Sequence, residues 1–167
     1  MIAKSYIERS LKLALKSYNQ STNNNALVAL YSKFAILELC GWIEISMDNI
    51  IIRLSKKMNK DKNTKELLEK VKRNSSFDYD SNFKPLVAHV IGMVNFEKVE
   101  SRCDLGKLAK FEATLSILKK ERNKLAHTDL KNISTPIPSP SIALAYFSDI
   151  YEGLIEMEKS FKYLKHI

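Results

Sequence analysis

A long apolar segment near the start of the chain constrains the fold more than any other feature. Residues 26–57 are predicted to form one helix, and over its first half apolar side chains occur nearly all round. A helix without a polar face is covered on several sides, so we expect this one at the centre of the protein. Charged residues interrupt it too often for a membrane span. They are Lys33, Glu38, Glu44 and Asp48.

Glycine and asparagine residues in this region predict one close helix crossing and the starts of two helices. Gly41 lies in the middle of the apolar helix, where glycine lowers helix stability, so we expect another helix to cross closely there. Asn25 is the expected N-cap of the same helix. Further on, Asn63 followed three residues later by Glu66 matches a capping box and predicts a short third helix that ends near residue 73.

The rest of the chain is also predicted to be helical, and it contains no strand-like alternation of any length. A first helix is expected over residues 3–19, with an apolar stripe formed by Ile7, Leu11, Ala14 and Tyr18. With 167 residues and no internal repeat, the chain suits a single domain over residues 1–167. The predicted fold class is all-α, an up-and-down helical bundle of five to six helices.

Prolines predict the beginnings of two later helices. Pro85 suits the first turn of a fourth helix, which carries Leu86, Val90 and Met93 on one side. Ser139 followed by Pro140 is the preferred arrangement for the start of the last helix. Residues 106–128 are expected to form the helix between these two.

Charge and cysteine content bear on partners and compartment. A net charge of +8 points to an anionic partner, with nucleic acid ahead of a membrane, although lysine-rich surfaces also serve solubility alone. Cys40 and Cys103 have no metal-like spacing, and a reduced cytoplasmic compartment is the simplest interpretation. The first ten residues lack the apolar core of a signal peptide. We therefore expect a cytoplasmic protein without a metal or other cofactor.

One charged residue interrupts the apolar stripe of the helix over residues 106–128. The stripe consists of Phe111, Leu115, Leu118 and Leu125, and the position where its next member is due holds Arg122. A structural explanation is that Arg122 extends out to solvent or pairs with an acid on the central helix, such as Glu38 or Glu44. His127 can likewise favour the negative end of the helix dipole.

A chemical explanation assigns Arg122, Asn123 and His127 to a site that cleaves RNA. Arginine binds a phosphate in bidentate fashion and stabilises developing charge, and histidine exchanges a proton near neutral pH. Asn123 can orient the imidazole or donate to a phosphate oxygen. On a regular helix Arg122 lies about 140° round the axis from His127. Either the last turn unwinds, or the arginine works with a second copy of the motif.

The motif resembles that of a known family. "RNKLAH", from Arg122 to His127, is similar to the Arg-Asn-x-x-x-His signature of HEPN domains, helical domains that include many endoribonucleases. The proline-serine loop "STPIPSPS" and the closing helix "LAYFSDIYEGLIEME" resemble the usual ending of these domains. The segment "ALYSKFAILELCGWIEISMDNI" resembles the RiboL-PSP-HEPN subgroup. The resemblance spans about residues 10 to 165.

The resemblance implies a homodimer in which two motifs face each other across a cleft and cleave RNA without metal. It implies that the arginine-containing stripe is the subunit interface, and it suggests a toxin–antitoxin or antiviral setting with an antitoxin or defence partner. We expect Lys119, Lys120, Lys124 and Lys131 to attract the RNA backbone, although each also fits an ordinary solvated side chain.

Two features leave this interpretation open. Asp129 occupies the position two residues after the histidine, where HEPN toxins paired with a nucleotidyltransferase often carry a modified tyrosine. Some HEPN domains serve as non-catalytic dimerisation or RNA-binding modules, and this is the alternative function. Glu38, Trp42 and Glu44 on the central helix fit either support of the site or plain packing.

Overall fold

The protein is a bundle of α-helices. A computed structural model describes residues 2–74, 76–126 and 136–167, and these ranges contain no β-strand. They hold seven α-helices: α1 Ser5–Gln20, α2 Asn25–Ser55, α3 Asp61–Arg73, α4 Lys84–Ile91, α5 Met93–Arg102, α6 Leu105–Ala126 and α7 Pro140–Tyr163. A short π-helical segment, Tyr79–Phe83, precedes α4. The all-α class is confirmed, and the described residues contain more helices than the five to six expected.

The additional helix arises at Gly92. This glycine has a φ of 83°, a left-handed conformation that residues with a Cβ rarely adopt, and it separates α4 from α5. Leu86 and Val90 pack against the core as part of α4. Met93 was expected on the same side of that helix, which is wrong. It begins α5 instead and is largely exposed, because the break at Gly92 changes the chain direction.

Two of the predicted helix starts need correction. The N-cap of α2 is Asn24 rather than Asn25, and its side-chain oxygen accepts hydrogen bonds from the backbone N–H groups of Ala26 and Leu27. The capping box at Asn63 is wrong because α3 begins two residues before it, with no side-chain cap bond at Lys60. Several neighbouring polar residues before α2 and α3 have the spacing of a cap, so the sequence alone does not decide at which of them each helix begins.

The start of the last helix was predicted correctly. Ser139 occupies the N-cap position of α7 and Pro140 is its first residue. The Ser139 hydroxyl lies 2.8 Å from that of Ser141 and makes no capping bond to the backbone. The fixed φ of proline at the first helical position therefore defines this start better than the serine hydroxyl does.

The central position of α2 is confirmed. It packs against α1, α4, α6 and α7, and Leu39, Ile43 and Ile50 on it are fully buried. Its N-terminal half nevertheless leaves several apolar side chains exposed. On length and composition alone α2 is long and apolar enough to cross a membrane. Its charged residues had argued against a membrane span. A central helix of a bundle has the same composition, and α2 occupies that position here.

The close helix crossing expected at Gly41 occurs elsewhere. A Cβ built on Gly41 meets no atom within 4 Å in the described part of the protein, so the prediction of a crossing helix there is wrong within the protomer. The close approach is instead at Gly153 of α7, where an added Cβ would lie 2.4 Å from the Cβ of Phe111. Gly153 thus allows α7 to pack directly on α6.

We expect Gly153→Ala to lower the free energy of unfolding by about 1–3 kcal/mol, because the new methyl group overlaps atoms of Phe111 that are fixed close to the backbone. Chemical denaturation monitored by circular dichroism measures this change. Gly106→Ala is the control, since its added Cβ would meet only the flexible Asp104 side chain, at 3.3 Å. A Gly153→Ala variant as stable as the wild type would contradict the close packing of α6 on α7.

Candidate functional site

The stripe that Arg122 interrupts is part of the protomer core. Phe111, Leu115, Leu118 and Leu125 are all almost completely buried within a single chain, between α6 and its neighbours α2 and α7. The expectation that this stripe forms the subunit interface is therefore wrong, because its apolar surface is already covered. The charge at Arg122 needs a local explanation.

That explanation is an ion pair across the α2–α6 contact. Nη2 of Arg122 lies 3.1 Å from Oε1 of Glu44, and the two side chains are 26% and 27% exposed. The guanidinium carbon also lies 5.8 Å from the centre of the Phe77 ring. Pairing of Arg122 with an acid on the central helix, one of the two explanations drawn from the sequence, is thus observed. The pair is partly buried, with Oε1 of Glu44 shielded from solvent, and it lies close to the end of α6 at Ala126.

Two further residues of α2 that were considered for the site have other partners. Glu38 accepts a hydrogen bond of 2.5 Å from the hydroxyl of Tyr6. The indole N–H of Trp42 donates to the carbonyl oxygen of Ala3 at 2.9 Å, and its ring packs edge-on against Phe147. Both side chains therefore hold the beginning of α1 against α2, rather than contacting Arg122.

A second acid, which the sequence analysis did not assign to the site, lies beside the ion pair. Asp48 follows Glu44 by one helical turn and is half-buried. Burial, and to a smaller extent the negative charge of Glu44, raises the pKa of Asp48 to about 6. The i, i+4 spacing of the two acids on an otherwise apolar helix was the available signal. The site thus holds a carboxyl group that exchanges its proton near neutral pH.

Cys40 lies one turn before Glu44 and completes the same row of α2. Burial raises its pKa to about 12, with Arg122 acting in the opposite direction. The Sγ atom approaches the carbonyl oxygen of Leu118 at 3.9 Å. The thiol is therefore neutral at physiological pH and packs as an apolar side chain, which excludes it as a nucleophile in this conformation.

The basic residues around Arg122 have different surroundings. Lys119 forms an ion pair of 2.6 Å with Asp78 and holds the pKa of that carboxyl well below its usual range. Lys120 and Asn123 are exposed, and Lys124 is half-buried. Of the three predicted RNA contacts that the structure describes, Lys120 is the most accessible, whereas Lys119 already has an acidic partner.

The other part of the predicted site lies outside the described residues. His127 and Lys131 belong to the range 127–135, so the structure gives no distance between Arg122 and the imidazole. Within the described part of the chain, no group of three or more His, Cys, Asp or Glu residues could hold a metal ion. The observed geometry is therefore that of an arginine–carboxylate pair with Asn123 next to it on the helix.

No protein-family model matches the chain, and comparisons with curated proteins and with solved structures gave no match either. The resemblance to HEPN domains consequently rests on the sequence motif and on the order of the helices. Any function proposed for the protein therefore depends on those features and on the geometry around Arg122.

We expect Asp48→Asn to stabilise the protein at pH 7.5 and to have less effect at pH 4. The folded-state pKa of about 6 lies above the ordinary value of 3.8, so this carboxyl favours the folded state below about pH 4. That contribution is lost as the pH rises through 6. After allowance for partial exposure, the gain at pH 7.5 should be about 1–2 kcal/mol.

Denaturant unfolding at the two pH values measures this gain. Glu97→Gln, at an exposed position on α5, serves as the control for removal of one negative charge from a protein of net charge +8. An Asp48→Asn effect that is equal at both pH values would show that the carboxyl titrates normally, and one that grows toward pH 4 would show that its pKa is lowered rather than raised.

Proposed function

We propose that the protein is a metal-independent endoribonuclease that resembles HEPN domains and acts as a homodimer. The observation that carries this proposal is the position of Arg122. Its side chain is partly exposed near the end of α6, pairs with Glu44, and precedes by five residues the histidine that the Arg-Asn-x-x-x-His motif requires. Arginine, asparagine and histidine in this order supply the groups that phosphodiester cleavage in RNA needs.

The proposed roles follow from the chemistry of each side chain. Arg122 binds the scissile phosphate and stabilises the negative charge that develops on it. His127 takes the proton of the ribose 2′-hydroxyl or supplies one to the leaving 5′-oxygen, and Asn123 orients the imidazole. The 2′-oxygen forms a bond to phosphorus while the bond to the 5′-oxygen breaks, which leaves a 2′,3′-cyclic phosphate and a 5′-hydroxyl.

Glu44 is proposed to hold the guanidinium in place before RNA binds. Oε1 of Glu44 is shielded from solvent, whereas the arginine side chain is partly exposed. A guanidinium has five N–H donors, so a phosphate can bind those that the carboxylate does not use. Lys120 and Lys124 lie two residues before and after Arg122 and therefore point to the other side of α6, where they add positive charge to the helix as a whole. The net charge of +8 favours encounter with RNA in the same way.

The biological setting is proposed from the resemblance alone. A cytoplasmic ribonuclease of this kind fits a toxin–antitoxin or antiviral defence system, in which an antitoxin or another defence protein controls its activity. RNA is the substrate class, and no metal ion or other cofactor takes part in the proposed reaction.

A second candidate function is a non-catalytic dimerisation or RNA-binding module. The observation that favours it is the acidic surroundings of Arg122, because Glu44 and Asp48 both place negative charge where a phosphate would bind. On this proposal the arginine serves the α2–α6 contact and the protein binds RNA without cutting it.

We expect the purified protein to cleave RNA in the presence of a chelator, and we expect loss of either Arg122 or His127 to reduce the rate at least about 100-fold. The substitutions are Arg122→Gln and His127→Ala, assayed by single-turnover cleavage of a labelled RNA. A substrate with a 2′-deoxy sugar at the cleaved position should remain intact, because it lacks the attacking oxygen.

Lys110→Ala is the matched control on the same helix. It removes an exposed basic residue about three turns before Arg122, and it should leave the cleavage rate within about tenfold of the wild type. Cleavage that survives in the Arg122→Gln/His127→Ala double variant would overturn the assignment. Salt-dependent RNA binding with no turnover of any RNA would instead support the non-catalytic module.

A further inference from the structure

One face of α2 remains uncovered although the helix is the centre of the bundle. We call it the α2 face and define it by apolar residues at near-heptad spacing: Leu27, Leu30, Phe34, Gly41, Ile45 and Ile52. The first three are exposed, and Ile45 at its centre is 63% exposed. A row of large apolar side chains at this spacing is typical of a helix that packs against another helix.

The neighbouring helix α1 extends this apolar surface. The hydrogen bonds from Tyr6 to Glu38 and from Trp42 to Ala3 place the beginning of α1 alongside the middle of α2. Tyr6 and Leu13 are both largely exposed and lie two turns apart on one face of α1. The exposed apolar side chains of α1 thus add to those of the neighbouring α2 face.

Gly41 gives an independent reason to expect a close partner. A glycine in a helix interior costs about 1 kcal/mol relative to alanine, and no described atom of the protomer approaches its Cβ position within 4 Å. It lines an open groove of about 660 Å³ between α2 and the beginning of α1, together with Trp42, Ile45 and Asn49. A second helix that crosses at Gly41 would account for the missing side chain.

The charges that border the α2 face have opposite signs at its two ends, so they attract each other when two copies of the face pack antiparallel. Glu38 lies seven residues before Ile45, and Lys56 lies eleven residues after it and is exposed. If two α2 helices pack antiparallel about Ile45, Glu38 falls level with Ile52 of the partner subunit, one turn from Lys56 of the partner subunit. Twofold symmetry then forms this charge pair twice, as expected of an interface between identical surfaces.

The same symmetry determines where the two arginines lie. Glu44 precedes Ile45 by one residue, so the Arg122–Glu44 pair lies level with the twofold axis, on the flank of the α2 face that adjoins α6. In an antiparallel pair the twofold axis runs between the two helices, perpendicular to both. Rotation about it therefore places the flank that adjoins α6 on the same side of the dimer in both copies. With the helix axes about 8–10 Å apart, both arginines line one shared groove.

We propose that the α2 face binds the same face of a second copy of this chain, antiparallel and with a twofold axis at Ile45. The shared arginine groove rests on the proposed ribonuclease function, whereas the interface itself depends only on the exposed apolar row, the open space at Gly41 and the self-complementary charges. The interface lies on α2 and not on the buried stripe of α6.

The test is the mass of the protein in solution at micromolar concentration. We expect twice the 19.2 kDa chain mass for the wild type by light scattering, and at least about tenfold weaker dimerisation for Ile45→Asp. Because Ile45 is largely exposed, this substitution leaves the core intact. Val94→Asp is the matched control, since Val94 is 66% exposed on α5, which packs against α4 and α7.

Cross-linking tests the position of the axis. A short bis-maleimide should join two copies of Ile45→Cys but not two copies of Val94→Cys. The native thiols give little background, because Cys40 and Cys103 are buried and burial raises their pKa values to about 12 and about 11. Lys56→Glu should weaken the dimer, and adding Glu38→Lys should restore it if the two residues pair across the axis.

A monomeric wild type, or an Ile45→Asp variant that dimerises as well as the wild type, would overturn the interface. Vesicle binding would overturn it as well: a monomeric wild type that sediments with vesicles of mixed neutral and anionic lipids, while Ile45→Asp stays in solution, would show that lipid covers the α2 face. A dimer that forms through Ile45 but cleaves no RNA supports the interface and contradicts only the proposed function. Full cleavage activity in monomeric Ile45→Asp would contradict the shared groove.

Discussion

Burial of α2 is the constraint on which the rest of the structure depends. Five of the other described helices, α1, α3, α4, α6 and α7, contact it, and the side chains that face them are excluded from water almost completely. Its apolar residues are nevertheless distributed so widely around the axis that one protomer leaves a face uncovered. The same property that places α2 at the centre of the bundle therefore also produces its largest exposed apolar row.

The ion pair between Arg122 and Glu44 is the polar counterpart of that packing. It lies where the apolar stripe of α6 meets the edge of α2, and it keeps a charged side chain at a position that the helix period assigns to the interior. The pair offsets the cost of placing a charge there, and it fixes the direction of the guanidinium. The acid that orients Arg122, Glu44, also makes the surroundings less favourable for a phosphate, so the same contact bears on both candidate functions.

Periodicity in the sequence predicted which faces of the helices are buried, and it identified Arg122 as the exception in the α6 stripe. It did not predict which helix covers which face, so the close crossing was assigned to Gly41 when the structure has it at Gly153. The break at Gly92 was missed because a left-handed φ has no periodic signal. Asp48 was missed as a site residue because its raised pKa depends on burial, and burial depends on the tertiary structure.

Asp48 connects the packing of α2 with the electrostatics of the site. It lies three residues after Ile45, at the boundary between the row of acids facing α6 and the exposed α2 face. A partner on that face would remove more water from this carboxyl and raise its pKa further. Protonation and dimerisation would then favour each other by linkage, since each stabilises the state that the other prefers.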